Sequence, residues 1–314
     1  MLYLHIGVGK AGSSTIQNFL ELNHKKLKEY TDQLNSIGIG EGWKLAAASG
    51  TDLAFNYWVK KKKIFTELEY REFLDNFWKK VELEVLQSNS HCYVASSEHI
   101  FSQYGNCAEG IVELRDRLVK NFGDVKIIFY CREQVAWAKS FYAQIIKGPS
   151  SGVLTYDQFV DQFSEHSIHW NYYNNLSKWG DAFGDDNIIV RAFDKSYFKN
   201  NNLVDDFMSI IVGSKMVGSF EQLSRYTSNV SPKLRRIELL RSFNRLSFIP
   251  MVGNSLVNMS KRIILNQRMA FLDRKSTQLP QHRDSDILHH IDADNIKFNE
   301  RFLSDSKFKL PTLV

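Results

Sequence analysis

Three clusters in this chain bring together residue types suited to an anion. The first is Gly7-Val8-Gly9-Lys10-Ala11-Gly12-Ser13-Ser14-Thr15, directly after the apolar run Leu2 to Ile6. Glycines after a strand permit a tight turn and close backbone approach, and a helix starting behind them aims unpaired N–H groups and a positive dipole end at phosphate or sulfate. The spacing differs from an ATP-binding loop, which sets a lysine directly after its final glycine. Here Ser13 holds that position, and Lys10 lies two residues ahead of Gly12. The second cluster, Ser96-Ser97-Glu98-His99, and the third, Arg132-Glu133, also follow apolar runs. A glycine turn, an acid and an arginine in one crevice make a polar, anion-seeking site.

The elements that must position these clusters are four buried strands, Leu2 to Ile6, Cys92 to Ala95, Val125 to Cys131 and Asn187 to Phe193. Segments of helical periodicity lie between them, notably Ile16 to Tyr30, Glu67 to Leu86 and Ala108 to Phe122. That alternation predicts an α/β chain with a mainly parallel sheet, whose ligands sit at the carboxyl ends of the strands. From about Ser196 the pattern turns helical and basic, clearest in Pro232 to Arg241, and no linker rich in Pro, Gly or Ser sets it apart. The expected organisation is therefore a main domain over residues 1–235 and a helical C-terminal extension over 236–314 packed on it as a cap.

The string Ile6-Gly-Val-Gly-Lys-Ala-Gly-Ser-Ser-Thr-Ile-Gln17 resembles the 5′-phosphosulfate loop of sulfotransferases that use 3′-phosphoadenosine 5′-phosphosulfate (PAPS), in particular bacterial members of carbohydrate type. The resemblance implies a P-loop-like three-layer fold in which Lys10, Ala11, Gly12, Ser13, Ser14 and Thr15 hold the 5′ end of the donor. Val125 to Arg132, followed eight residues later by Ser140, is similar to the family's 3′-phosphate element, and an arginine fork with a hydroxyl suits a phosphate dianion. A helix starting near Gln134 would put Ser140, Gln144 and Lys147 on one face. Gln134 stands where the family often has proline, which bears on how that helix starts. Arg225 and Ser228 lie where family members fold a variable segment over the nucleotide, so they are expected donor contacts, with a plain surface loop as the other reading. Trp170 to Phe193 also resembles bacterial members and reads as packing.

On this resemblance an acceptor oxygen or nitrogen attacks sulfur in line, and Lys10 neutralises charge on the departing phosphate oxygen. Glu98 is the expected general base, because glycan-modifying sulfotransferases carry a glutamate in a corresponding place; His99 is the alternative, and His5, inside a strand, reads as structural. The implied products are the sulfated acceptor, a glycan or glycolipid precursor, and 3′-phosphoadenosine 5′-phosphate (PAP). A sulfuryl group carries less charge than a phosphoryl group, so fixed cations are expected to suffice without a metal. A P-loop kinase and a non-catalytic polyanion binder using Lys60 to Lys63 and Arg235 to Arg241 are the competing classes.

Composition narrows the field. The 314 residues are 43% hydrophobic and 24% charged, which fits a folded chain with a sizeable core. Lys plus Arg exceed Asp plus Glu by 40 to 35, a formal +5 that favours anionic ligands but is too mild to indicate nucleic acid. Lys60 to Lys63 reads as a solvated helix end. Cys92, Cys107 and Cys131 are widely spaced, without C-x-x-C, and His289-His290 lacks the i,i+4 spacing of metal ligands, so neither disulfides nor a metal site is expected. Pro250 and Asn254 interrupt the apolar stretch Leu246 to Val257, and the start shows no secretory pattern, so a cytoplasmic location is expected. Weak peripheral membrane contact through Lys233 to Arg241 is the alternative to a plain cap. The aromatic segments Phe55 to Trp58 and Trp170 to Tyr173 read as packing rather than sugar-stacking surfaces.

Overall fold

The computed structural model describes residues 1–38, 42–49, 59–60, 62–105, 107–148, 152–213, 234–246, 263–265, 279 and 281–313. In chain order these form β1 (Leu2–His5), α1 (Ser13–Leu22), α2 (Gly42–Ala47), α3 (Glu67–Gln87), β2 (Tyr93–Ser96), α4 (His99–Tyr104), α5 (Ala108–Phe122), β3 (Val125–Cys131), α6 (Gln134–Lys147), α7 (Tyr156–Asp161), α8 (Tyr172–Phe183), β4 (Ile188–Ala192), α9 (Leu203–Ile211), α10 (Leu234–Leu246) and α11 (Asp284–Phe302), joined in places by shorter helical turns. The fold is α/β, as the alternation of runs predicts. All four strands are parallel in the order β2-β1-β3-β4.

Boundaries differ where single residues intervene. The Ile6 N–H still bonds to the Ile128 carbonyl, but the positive φ of Gly7 turns the chain out of the sheet. The helix expected over Ile16 to Tyr30 stops at Leu22, because Asn23 leaves the helical region and its side-chain amide donates back to the Phe19 carbonyl at 3.1 Å.

Both faces of the sheet are covered, which is why its strands read as apolar runs rather than alternating ones. Phe129 points to one side and packs on Phe101, Tyr172 and Phe298. Its neighbour Tyr130 points to the other, where its ring meets His5 and Phe198 and its hydroxyl donates to the buried Asp206 of α9 at 2.7 Å. The sheet is thus the middle of three layers.

The chain divides into two compact units. The first comprises Met1–Arg132, Ile168–Ser224 and Ala293–Leu310 and contains the whole sheet. The second comprises Glu133–Ser167, Arg225–Asp292 and Pro311–Val314. Within the second, Asn244 of α10 donates to the carbonyls of Ile146 and Gly152 at 2.9 and 2.8 Å, and Arg283 binds Asp161 at 2.6 Å. The 235/236 position falls inside α10. No helix among the described residues is long and apolar enough to cross a membrane.

Candidate functional site

The chain passes from β1 toward β2 on one side and from β3 toward β4 on the other, so its connections diverge at the β1/β3 gap. In open parallel sheets such a switch point leaves a crevice outside the carboxyl ends of the strands. The Gly7–Gly12 loop and Arg132 both emerge there, although 122 residues separate Lys10 from Arg132.

The loop is wound by left-handed backbone at three positions: φ is 34° at Gly7, 72° at Lys10 and 82° at Gly12. Gly12 is also required sterically, since a Cβ there would lie 2.3 Å from Leu203 Cδ2 and 2.7 Å from Phe193 Cε2. Lys10 carries a Cβ and holds its conformation at a cost of about 1–2 kcal/mol. Non-glycine residues held this way cluster at ligand clamps. Gly12 occupies the N-cap position of α1, and no side chain caps the helix, so its first turn presents backbone donors suited to an anion.

Two buried polar atoms converge on this loop. Among the described residues Ser13 Oγ and His5 Nε2 have no hydrogen-bond partner, and both lie within 3.1 Å of where a Gly7 side chain would begin. A buried polar group left unpaired costs about 1–3 kcal/mol, a debt that a bound oxyanion would relieve. The other His5 nitrogen, Nδ1, is 2.8 Å from Ser96 Oγ. Burial pulls the imidazole pKa down to about 3, so the ring is neutral near pH 7. His5 is structural, as its strand position suggests, and it also faces the loop.

Arg132 joins the two motifs. Its Nη1 donates to the Lys10 carbonyl at 2.7 Å, its guanidinium lies 5.5 Å from the Phe193 ring centre, and Tyr172 donates its hydroxyl to the Arg132 carbonyl at 2.8 Å. The structure therefore gathers Lys10, Ala11, Gly12, Ser13 and Arg132 around one turn, with Ser14 exposed and Thr15 half-buried beside them. Trp170 and Tyr172 are buried, as are Leu176, Trp179 and Phe183 of α8, so this stretch packs.

At the end of β2 the Ser97 N–H bonds to the His5 carbonyl at 2.9 Å, and Glu98 follows directly as the chain leaves the sheet. Glu98 is half-buried at the N-cap position of α4, without a capping hydrogen bond. Next to it lies a cleft of about 180 Å³ formed by Gln17 from α1, Gly42 and Trp43 from α2, Ser96, Ser97 and His99 around the end of β2, and Lys62. His99 lines this cleft and Glu98 does not. Trp43 and Lys62 are additions that spacing could not supply, because they come from separate segments; Gln17 had a signal, one helical turn after Ser13.

Ser140 belongs to the second unit, where it is buried on α6. That helix starts at Gln134 as expected, and in place of proline the Glu133 carboxylate accepts from the N–H groups of Val135 and Ala136 at 2.8 and 2.7 Å. Gln144 is exposed, and Lys147 is half-buried, its pKa lowered by desolvation. Arg225 and Ser228 lie outside the described residues, as do Phe55 to Trp58.

No family model matches this chain, and no solved structure matches it. Over 176 residues, 51% of the chain, it is 28% identical to an uncharacterized protein of Archaeoglobus fulgidus, and the match covers 45% of that protein. The chain thus spans less than half the length of this relative.

Proposed function

We propose that the protein is a sulfotransferase that moves a sulfuryl group from PAPS to a hydroxyl or amino group of a glycan or glycolipid precursor. The observation that carries this reading is the loop after β1, where the lysine lies ahead of the last glycine in left-handed backbone and Ser13 Oγ and His5 Nε2 turn unpaired toward Gly7. The Arg132 bond to the Lys10 carbonyl supports it further, by placing a second cation against the same turn.

In this reading the first turn of α1, with Ser13, Ser14 and Thr15, binds the 5′-phosphosulfate. Lys10 neutralises the bridging oxygen as the bond from sulfur to that oxygen breaks. Arg132 takes the 3′-phosphate; Ser140, Arg225 and Ser228 join the donor contacts on the sequence resemblance alone. Glu98 accepts the acceptor proton while the acceptor oxygen bonds to sulfur, and PAP departs. The reading includes a cytoplasmic location, supported by Cys92, Cys107 and Cys131 all being free thiols.

The test is thermal unfolding with PAP, ATP and AMP. PAP at a hundred times its dissociation constant should add about 2.7 kcal/mol, well beyond the other two nucleotides. Equal shifts from PAP and ATP would overturn the donor assignment. Glu98→Gln should keep PAP binding and lower turnover by about 10² to 10⁴-fold. A collapse in His99→Ala instead would transfer the base to His99.

A further inference from the structure

The cleft beside the loop has a consistent chemistry. Among the described residues that line it, Lys62 brings a permanent positive charge and none is a carboxylate. Lys62 is exposed, yet it is held: its Nζ lies 4.9 Å from the Trp43 ring centre, and that ring also stacks on Phe73 at 5.5 Å and 21°. Phe73 in turn stacks on Tyr70 and Phe77 of the same helix, so a chain of rings anchored on α3 fixes the indole. A cation on an aromatic face is attracted by the ring quadrupole and is preorganised there. The Gln17 carboxamide and the His99 ring add further hydrogen-bonding groups.

The position of the cleft is equally specific. Gln17 stands four residues after Ser13 on α1, just over one turn or about 6 Å along the axis. Gln17 Nε2 donates to the Ser96 carbonyl at 3.4 Å, and Ser96 Oγ bonds His5, whose far nitrogen faces Gly7. Gln17, Ser96 and His5 thus lead from the cleft to the loop by hydrogen-bonded contacts. At about 180 Å³ the cleft is smaller than the roughly 300–1,000 Å³ of drug-sized sites and has room for one ring-sized unit.

We propose that this cleft is the acceptor subsite and that its acceptor is an acidic sugar, with a carboxylate or an existing sulfate recognised by Lys62. The proposal rests on the sulfotransferase reading, because adjacency to the donor loop is what makes the cleft an acceptor site. A sugar bound there presents a hydroxyl toward the loop, and its acid group meets the ammonium at the mouth.

The experiment titrates glucuronic acid, glucose 6-sulfate and glucose into the PAP-saturated protein and the PAP-free protein, followed by saturation-transfer NMR and calorimetry. At least one acid should bind about tenfold or more tighter than glucose, the scale of one charge-assisted contact, and the better acid tells carboxylate from sulfate. Lys62→Gln should abolish the preference, Lys62→Arg should retain it, and neither should alter PAP affinity. Equal binding of glucose and both acids, no binding of either acid, or a preference that survives Lys62→Gln would overturn the proposal. Failure of PAP to bind the native protein would overturn the donor reading and the acceptor role with it, whereas PAP binding without an acid preference removes the cleft proposal alone.

Discussion

Lys10 and His5 show how single residues accept unfavourable local states around the loop. Lys10 adopts φ 72°, which glycine tolerates and other residues resist. Lys10→Gly and Lys10→Ala both remove the ammonium, so both should lose PAP affinity, but Lys10→Gly should be more stable than Lys10→Ala by about 1 kcal/mol. Urea unfolding of the pair measures this; equal stabilities would mean that the loop relaxes out of the left-handed region. His5 is neutral in the fold because burial lowers its pKa from 6.5 to about 3. Above pH 6.5 the folded and unfolded forms are both neutral and no stability depends on this group. Between 6.5 and about 3 the unfolded chain binds a proton that the folded chain does not, and stability falls. The slope is about 1.4 kcal/mol per pH unit. His5→Gln should flatten that part of the profile when urea midpoints are compared at neutral and mildly acidic pH, and an unchanged slope would assign the loss to other groups.

At the scale of elements, helix starts decide where chemistry is presented. The N-termini of α3 and α7 are closed by capping boxes, Thr66 with Glu69 and Thr155 with Gln158. The N-terminus of α1 has no side-chain cap, and it is the helix behind the glycine loop. α4, α5 and α8 also start without a side-chain cap, so what sets α1 apart is the glycine loop ahead of it, whose close backbone approach suits an anion at the first turn. Glu133 caps α6 through two backbone N–H groups, so Glu133→Ala should cost about 0.5–2 kcal/mol by urea denaturation, with Glu133→Asp recovering most of it. A loss below a few tenths would show that the second unit holds α6 without its cap.

Across the whole molecule, 40 basic residues against 35 acidic ones leave a small surplus that cannot carry tight, non-specific polyanion binding by itself. PAP affinity should therefore fall less than about tenfold between 50 and 200 mM salt, whereas a ligand that neutralises six or more phosphates would lose about 10³-fold or more over the same range. Calorimetric titration of PAP at several salt concentrations decides. A steep loss would favour the polyanion-binding class over a built donor site.

The strands and the glycine loop were legible in the amino-acid order, because short-range physics sets them. Apolar runs between periodic helices can bury their backbone only as a sheet covered on both faces, and three glycines ahead of Ser13 force a turn before α1. Ala108 to Phe122 came out to the residue because its apolar spacing fills one helix face and Gly123 ends it. Strand order was not legible, since periodicity carries no information about which strand lies beside which. It took the sheet to set β1 next to β3 and so bring Arg132 onto the Lys10 carbonyl. The partnerless states of His5 Nε2 and Ser13 Oγ also appear only once neighbours from distant segments have closed around them. The cleft depends on tertiary structure in the same way, because Trp43, Lys62 and His99 come from separate segments that share no motif, and Trp43 is held there by stacking on Phe73 of α3.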